Sequence, residues 1–121
     1  MTEGGSPRHV FHLTTRAAYA AAFEAGVYEA PSLASEGFIH CSTREQIART
    51  AERFYRTQSG LVILCLDAQK LGGALKYEAA DGEQFPHFYG SIPIDAIVAV
   101  IEFPCRADGG FDLPDELAVF G

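Results

Sequence analysis

The chain contains no apolar run approaching the roughly 20 residues that a membrane-spanning helix requires, so we expect no membrane partner. Residues 1–8 also lack the apolar segment of a secretory signal. They are largely polar and are predicted to form a loose N-terminal tail. Apolar residues nevertheless make up 48% of the 121 positions, enough for one core, and we expect a single domain over residues 1–121.

Cysteine and basic residues are both scarce. The three cysteines are an odd number without metal-type spacing, and Cys65 lies in the apolar run 61–66, where a reduced and buried thiol is expected. This pattern favours a cytoplasmic location. The net charge of −7 weakens long-range attraction to a phosphate backbone and argues against a nucleic-acid partner.

The common catalytic and phosphate-binding motifs are absent as well. The sequence has no GxSxG elbow of the serine hydrolases, no Walker loop and no GxGxxG fingerprint. No HxH, HExxH or CxxC pair is present to chelate a metal locally. These absences remove the motif-based assignments and leave the histidines as the most informative residues.

Three of the four histidines lie in short apolar segments typical of strands. They are His12 in residues 11–13, His40 in residues 36–42 and His87 in residues 85–90. A buried imidazole without a partner is unfavourable, so each of these side chains needs a hydrogen bond or a function. His9 follows the tail and is expected at the surface.

Periodicity divides the chain into early helices and later strands, which indicates an α+β fold. One helix is predicted from a cap at Thr14 or Thr15 to Ala25, with Gly26 as its stop residue, and a second over residues 43–56. Strands are predicted over residues 9–13, 38–41, 61–66, 75–79, 87–89 and 97–103, the last as a central strand. Residues 28–36, which contain a proline, are predicted to be a loop.

The helix predicted over residues 43–56 has two different faces. Its start has the form of a capping box, with Ser42 followed three residues later by Glu45. The apolar face comprises Ile47, Ala48, Ala51, Phe54 and Tyr55. Arg49, Arg53 and Arg56 lie on another face, which we expect to be solvated and paired within the helix, for example Glu45 with Arg49.

His12 and His40 each precede a predicted helix start, where free backbone N–H groups favour anions. If the two strands are neighbours, the two imidazoles and the two helix N-termini converge. Thr14, Ser42 and Arg44 would then line a pocket that suits a phosphate or diphosphate better than a bare metal.

Residues 85–90 predict a further part of the site. His87 and Tyr89 share one face of an extended segment, where they can stack on a planar ring and form hydrogen bonds. Glu78 on the preceding strand is a candidate acid/base or ribose-hydroxyl acceptor. The alternative is a solvent-facing carboxylate paired with Lys76.

Other interpretations of the histidines stay open at this point. Each can be a hydrogen-bonded core residue. His12, His40, His87 and Cys41 are also usable zinc ligands, although Cys41 should face away from His40 because neighbouring strand residues alternate. The same alternation disfavours a Cys41 nucleophile activated by His40.

Together these segments resemble the domain-of-unknown-function 952 family. The matching pieces are Phe11-His12-Leu13-Thr14, Gly26-Val27-Tyr28 with Ser32-Leu33, residues 36–42 and residues 85–90. The likeness covers about residues 9–103. The family is described as similar in fold to ADP-ribosyltransferases, which implies a split mixed or antiparallel sheet, two main helices and a cleft for NAD or an ADP-ribose-like ligand.

The resemblance also implies roles for residues. His12 takes the first-strand position of the transferases' histidine or arginine, and His40 and Ser42 stand where a second-strand tyrosine, serine or threonine is found. The late-strand glutamate has no direct counterpart, because His87 is nearest and Glu78 comes a few residues earlier. RNA 2′-phosphotransferases share the fold and also lack this glutamate, but their arginine-rich site is not evident here.

We therefore expect a small ADP-ribosyltransferase-like protein that requires no cofactor and has NAD as its candidate substrate. The expected contributors are His12 at the ribose or diphosphate, Tyr28 or Tyr89 stacking on a ring, His40 and Ser42 orienting the nucleotide, and His87 with Glu78 handling a proton. The alternatives are a non-catalytic nucleotide- or metabolite-binding module and a His-ligated metal-dependent hydrolase. The sequence identifies no protein acceptor.

Overall fold

The computed structural model describes residues 7–120, so residues 1–6 of the predicted tail lie outside the described residues. The helices are α1 (Arg16–Ala25), α2 (Pro31–Glu36), α3 (Arg44–Phe54) and α4 (Ala68–Leu71). The strands are β1 (His9–Thr15), β2 (Val27–Tyr28), β3 (Ile39–His40), β4 (Leu61–Asp67), β5 (Leu75–Ala80), β6 (Glu83–Phe88), β7 (Ile92–Pro93) and β8 (Ile97–Glu102). Within these residues, no helix combines the length and the apolar character that crossing a bilayer requires.

An antiparallel sheet of order β1-β4-β8 forms the centre of the fold. β4 is its middle strand and is buried from Leu61 to Leu66, because neighbours pair with both of its edges and apolar side chains cover both of its faces. The strand predicted over residues 97–103 is present as β8, but its predicted central position was wrong, since β8 lies at the edge of this sheet. The uninterrupted apolar run of β4 is the pattern typical of a strand buried on both faces.

A second antiparallel sheet, of order β3-β6-β5, is joined to the first by one bridge between Phe11 and Ser42. Phe11 N donates to Ser42 O at 2.8 Å, and Ser42 N donates to Phe11 O at 2.7 Å. β2 and β7 form a small third pair. The α+β prediction is confirmed, and all pairing between the described strands is antiparallel.

The two faces of the central sheet carry separate apolar clusters. Phe11 and Leu13 of β1 pack with Ile47 of α3 in one cluster, and Tyr28 belongs to the other. The ring of His12 lies beside Tyr28, so His12 faces away from its two neighbours on the strand. α3 therefore covers one face, and the His12 side chain enters the other.

Local signals set the ends of α1. Thr15 Oγ1 accepts a hydrogen bond from Ala18 N at 3.0 Å, and Gly26 ends the helix with a φ of 89°, which glycine adopts without a Cβ clash. Both were predicted. The prediction of a loop over residues 28–36 was wrong, because Pro31 begins α2. Proline fits the first position of a helix, since the N–H that it lacks would have no partner within the helix.

The start of α3 lies one residue beyond the predicted cap. Thr43 is the N-cap, and Gln46 rather than Glu45 completes the capping box. Ser42 is not free for this role, because its backbone is extended and bonded to β1. At the other end of the helix Phe54 is 62% exposed, although it belongs to the predicted apolar face.

Gln46 ties α3 to the hairpin formed by β5 and β6. Its Oε1 accepts from Thr43 N at 2.9 Å, and its Nε2 donates to Gln84 O at 2.8 Å and to Glu83 Oε1 at 2.9 Å. The residue is buried. One side chain thus caps the helix and fixes the hairpin against it.

We predict that Gln46→Ala lowers the free energy of unfolding by about 2–3 kcal/mol, because it removes three hydrogen bonds at a buried position. Glu45→Ala on the same helical turn is the control. Glu45 is exposed and lies 3.7 Å from Arg44, so its loss should change stability by no more than about 0.5 kcal/mol. Urea denaturation measures both variants, and equal losses would contradict the role given to Gln46.

Candidate functional site

His12, His40 and His87 line one cleft of about 1090 Å³ between α3 and the β5–β6 hairpin. β3 lies at one end of the cleft, where His40 pairs with His87 across the strands. We call this the hairpin cleft. The structure thus brings together three histidines that are far apart in the sequence.

His12 is held from both sides inside the protein. Its Nδ1 lies 2.6 Å from the His40 carbonyl oxygen, and its Nε2 lies 2.8 Å from the Tyr28 hydroxyl. Because a carbonyl only accepts, Nδ1 donates and Nε2 accepts from Tyr28. Burial lowers the pKa of His12 to about 4, so the ring is neutral near pH 7 and has no nitrogen left for a ligand.

Thr14 and Tyr28 belong to the same internal network. The Tyr28 hydroxyl lies 3.0 Å from Thr14 Oγ1, and both residues are buried. Neither lines the hairpin cleft. The expectations that Thr14 borders an anion pocket and that Tyr28 stacks on a ligand ring were therefore wrong.

Arg44 lies away from the hairpin cleft. Its Nη1 donates to the carbonyl oxygens of Leu117, Ala118 and Phe120 at 3.2–3.4 Å. It holds the C-terminal segment and does not serve the predicted anion pocket.

The two helix starts do not converge as the sequence suggested. α1 begins after Thr15, four residues beyond Phe11 on β1, or about 13 Å along the strand. α3 begins two residues after Ser42, which lies opposite Phe11. Ser42 itself does line the hairpin cleft, and its Oγ lies 3.3 Å from Thr50 Oγ1.

His40 is exposed at the β3 end of the hairpin cleft. Its Nε2 lies 3.1 Å from Glu36 Oε2 at the end of α2, and its ring meets the Phe38 ring edge-on at 4.8 Å. Cys41 is buried and faces the other way, as predicted. Burial raises the pKa of the Cys41 thiol to about 12, which keeps it protonated and poorly nucleophilic near neutral pH.

His87, Glu78 and Tyr89 form a hydrogen-bonded chain next to His40. One oxygen of Glu78, Oε1, accepts from His87 Nδ1 at 2.7 Å and from the Tyr89 hydroxyl at 2.6 Å. These two hydrogen bonds, the one from Tyr89 first, lower the pKa of Glu78. Because a carboxylate only accepts, Nδ1 is the donor in this contact, and Nε2 is the ring nitrogen left over. Among residues 7–120 it has no hydrogen-bond partner.

Phe38 connects these groups, and sequence reasoning did not assign it to the site. Its ring stacks on His87 with centroids 4.1 Å apart and lies 5.3 Å from the ring of Tyr89. Glu36 was also missed. A signal was available for Phe38, since it alternates with His40 along the strand predicted over residues 38–41 and so shares its face.

The opposite end of the hairpin cleft carries two arginines of α3. Arg49 reaches Glu83 through two hydrogen bonds of 2.9 and 3.2 Å, and Arg53 reaches Asp81 at 2.7 Å. The predicted pairing of Arg49 within the helix was wrong, because the hairpin places carboxylates closer. The exposed Phe54 ring lies 5.2 Å from the Arg53 guanidinium at this end.

Glu78 and Tyr89 do not themselves line the hairpin cleft, and they are connected to it through His87. In residues 7–120, no group of three or more His, Cys, Asp and Glu side chains is arranged to hold a metal ion. His9 was expected at the surface, but it is half-buried with its ring 5.0 Å from that of Phe120.

We predict that His12 makes the protein less stable as the pH falls from about 6.5 to about 4. Between these values the unfolded chain protonates this imidazole while the folded chain does not, so the free energy of unfolding decreases with decreasing pH. The full loss is about 3 kcal/mol. Urea denaturation at pH 7 and pH 4 should show the stability difference between the native protein and His12→Gln shrinking by about that amount. A difference independent of pH would contradict the assignment.

The chain is similar to solved structures and matches a protein family. A crystal structure of protein CC0527 from Caulobacter crescentus is similar at a TM-score of 0.84 and 35% identity, over 91% of this chain and 98% of that one. The solution NMR structure of CC0527 is similar at a TM-score of 0.79 and 34% identity, over 93% of this chain and 98% of that one. No curated protein gives a significant match. Residues 13–100 match the family described as "Protein of unknown function (DUF952)", and the chain belongs to this family.

Proposed function

We propose that this protein is an ADP-ribosyltransferase-like enzyme that binds NAD or a related diphosphate nucleotide in the hairpin cleft and transfers or hydrolyses its ADP-ribose. The observation that carries the proposal is the layout of one cleft. An aromatic and histidine-rich end, at Phe38, His40 and His87, lies opposite an arginine-bearing end, at Arg49 and Arg53. Such a layout matches a ligand with a planar ring at one end and phosphates further along.

The aromatic end suits the nicotinamide ring. Phe38 and His87 are already stacked, and Tyr89 stands beside them, so a planar ring can extend the stack. The ring of NAD is positively charged, and Glu36 and Glu78 supply carboxylates next to the two histidines. A cation is favoured both over aromatic faces and near carboxylates.

The two ends are separated by a distance that a dinucleotide can span. Glu83 and His87 are four residues apart on β6, or about 13 Å. Arg49 and Arg53 offer guanidinium groups for phosphate oxygens at the far end. The exposed face of Phe54 beside them offers a platform on which an adenine base can stack.

The proton transfer falls to the Glu78–His87 pair, because the late-strand glutamate of the transferases has no direct counterpart in this chain. His87 Nε2 takes a proton from water or an acceptor hydroxyl as that oxygen forms a bond to the anomeric carbon of the ribose. The bond to the nicotinamide nitrogen breaks, and its electron pair stays on the ring. Glu78 stabilises the imidazolium that forms, and Tyr89 fixes the orientation of Glu78.

We predict that His40→Ala abolishes nucleotide binding and leaves the midpoint of thermal unfolding nearly unchanged, because the His40 side chain is exposed and its one hydrogen bond is to Glu36. The measurement is the rise in unfolding midpoint on adding NAD. Lys70→Ala, outside the cleft, should keep the rise. A full rise in His40→Ala, or none in the native protein, would count against the proposal.

A second test addresses catalysis and uses nicotinamide release as its readout. His87→Gln should retain NAD binding and lose turnover, because it lacks the basic nitrogen. Glu78→Gln should lower the rate by about 10²- to 10⁴-fold, the usual range for a general base and its support. Equal rates in the native protein and both variants would exclude this pair from the reaction.

A non-catalytic binding module is the second candidate. The observation in its favour is that the late-strand glutamate of the transferases has no direct counterpart in this chain, where His87 is the nearest residue. In that case NAD or ADP-ribose raises the unfolding midpoint, and no nicotinamide is released.

A further inference from the structure

The two arginines at the far end of the hairpin cleft already hold anions that belong to the protein. Arg49 and Arg53 are four residues apart on α3 and therefore share a face. Glu83 binds Arg49 with both of its oxygens, and Asp81 binds Arg53 with one. All four side chains line the cleft.

These contacts have the geometry of phosphate binding. A guanidinium offers two parallel N–H donors, which fit a carboxylate and a phosphate group in the same way. The Glu83 carboxylate thus occupies the position that two phosphate oxygens would take against Arg49. Asp81 occupies the corresponding position at Arg53.

The pairs are also easy to exchange. The arginine side chains are 65% and 58% exposed, and ion pairs in such surroundings contribute little stability. Glu83 keeps its hydrogen bond from Gln46 Nε2 if Arg49 turns away, and Gln46 still holds the hairpin through Gln84 O. Replacing the carboxylates at the arginines therefore does not require the hairpin to unfold.

We infer that Arg49 and Arg53 form a subsite for a diphosphate and that Glu83 and Asp81 occupy it as competing internal anions until the ligand arrives. Naming a diphosphate rests on the proposed function. The two carboxylates hold the arginines in place without ligand, and they weaken ligand affinity through like-charge repulsion. Affinity is thus regulated by the protein's own charges.

The test removes the competing charges without removing the side chains. Asp81→Asn combined with Glu83→Gln should tighten the binding of ADP-ribose and of inorganic pyrophosphate by about tenfold, as expected for two nearby like charges. Asparagine tolerates the left-handed φ of 53° at position 81. Arg49→Gln combined with Arg53→Gln should lower the affinity for both ligands by at least the same factor. Isothermal titration measures each affinity, and urea denaturation verifies folding.

Matched controls are available on the same molecule. Glu102→Gln neutralises a carboxylate paired with Arg16, and Arg56→Gln removes an arginine of the next helical turn that binds the Asp108 carbonyl. Neither residue lines the cleft. Both variants should bind like the native protein.

The outcomes separate this inference from the proposed function. If NAD binds and loss of Arg49 and Arg53 changes nothing, the subsite is wrong and the function stands. If pyrophosphate binds through the arginines while NAD and ADP-ribose do not, the subsite stands and the nucleotide function fails. Unchanged or weaker binding in the carboxamide variant, or no pyrophosphate and ADP-ribose binding to any variant, overturns the inference.

Discussion

The hydrogen bond from the His12 ring to the carbonyl of His40 connects the central sheet to the strand that carries the site. It lies next to the Phe11–Ser42 bridge, the one strand pairing that joins the two sheets within the described residues. With the backbone of His40 held from β1, its side chain is directed to the hairpin cleft and Cys41 to the interior. The position of His40 depends on this contact, whereas His87 is placed by the pairing of β6 with β5 and β3.

The three histidines of the hairpin cleft show how surroundings assign different chemistry to one residue type. His12 is buried between a carbonyl and a hydroxyl, and the desolvation of its charged form keeps it neutral. His40 is exposed beside Glu36, and His87 is fixed by Glu78 with one nitrogen left over. A neutral buried ring is a good structural link and a poor acid, whereas a ring backed by a carboxylate can take up a proton in the course of a reaction.

Sequence patterns predicted the features that are set locally. Thr15 and Gly26 carry their signals within one helix, and Cys41 faces away from His40 because strand residues alternate. Features set by distant partners escaped prediction. Arg44 was placed in a pocket because nothing in its neighbourhood reveals that the C-terminal segment passes over it. Ser42 looked like a cap because its bond to Phe11 is a long-range pairing.

Glu78 shows the same limit at the site itself. In the sequence it comes a few residues before the place of the late-strand glutamate, and only the hairpin register shows how it reaches His87. Lys76 pairs with His87 and Glu78 with Phe85, so Glu78 is a diagonal neighbour of His87 on the same face, within reach of a long side chain. The observed partner of Glu78 is accordingly His87 and not Lys76.

Net charge is a poor guide to what such a cleft can bind. The chain carries −7, and Glu36, Asp81 and Glu83 line the cleft. Attraction over long range therefore does not bring a phosphate group to this protein. Whether a phosphate group can bind depends instead on the geometry at short range. Carboxylates that are paired with arginines in solvent can be replaced by another anion, because such ion pairs contribute little stability. An acidic protein can thus keep its guanidinium groups ordered, and a diphosphate that contacts Arg49 and Arg53 together has an advantage over one carboxylate bound to each.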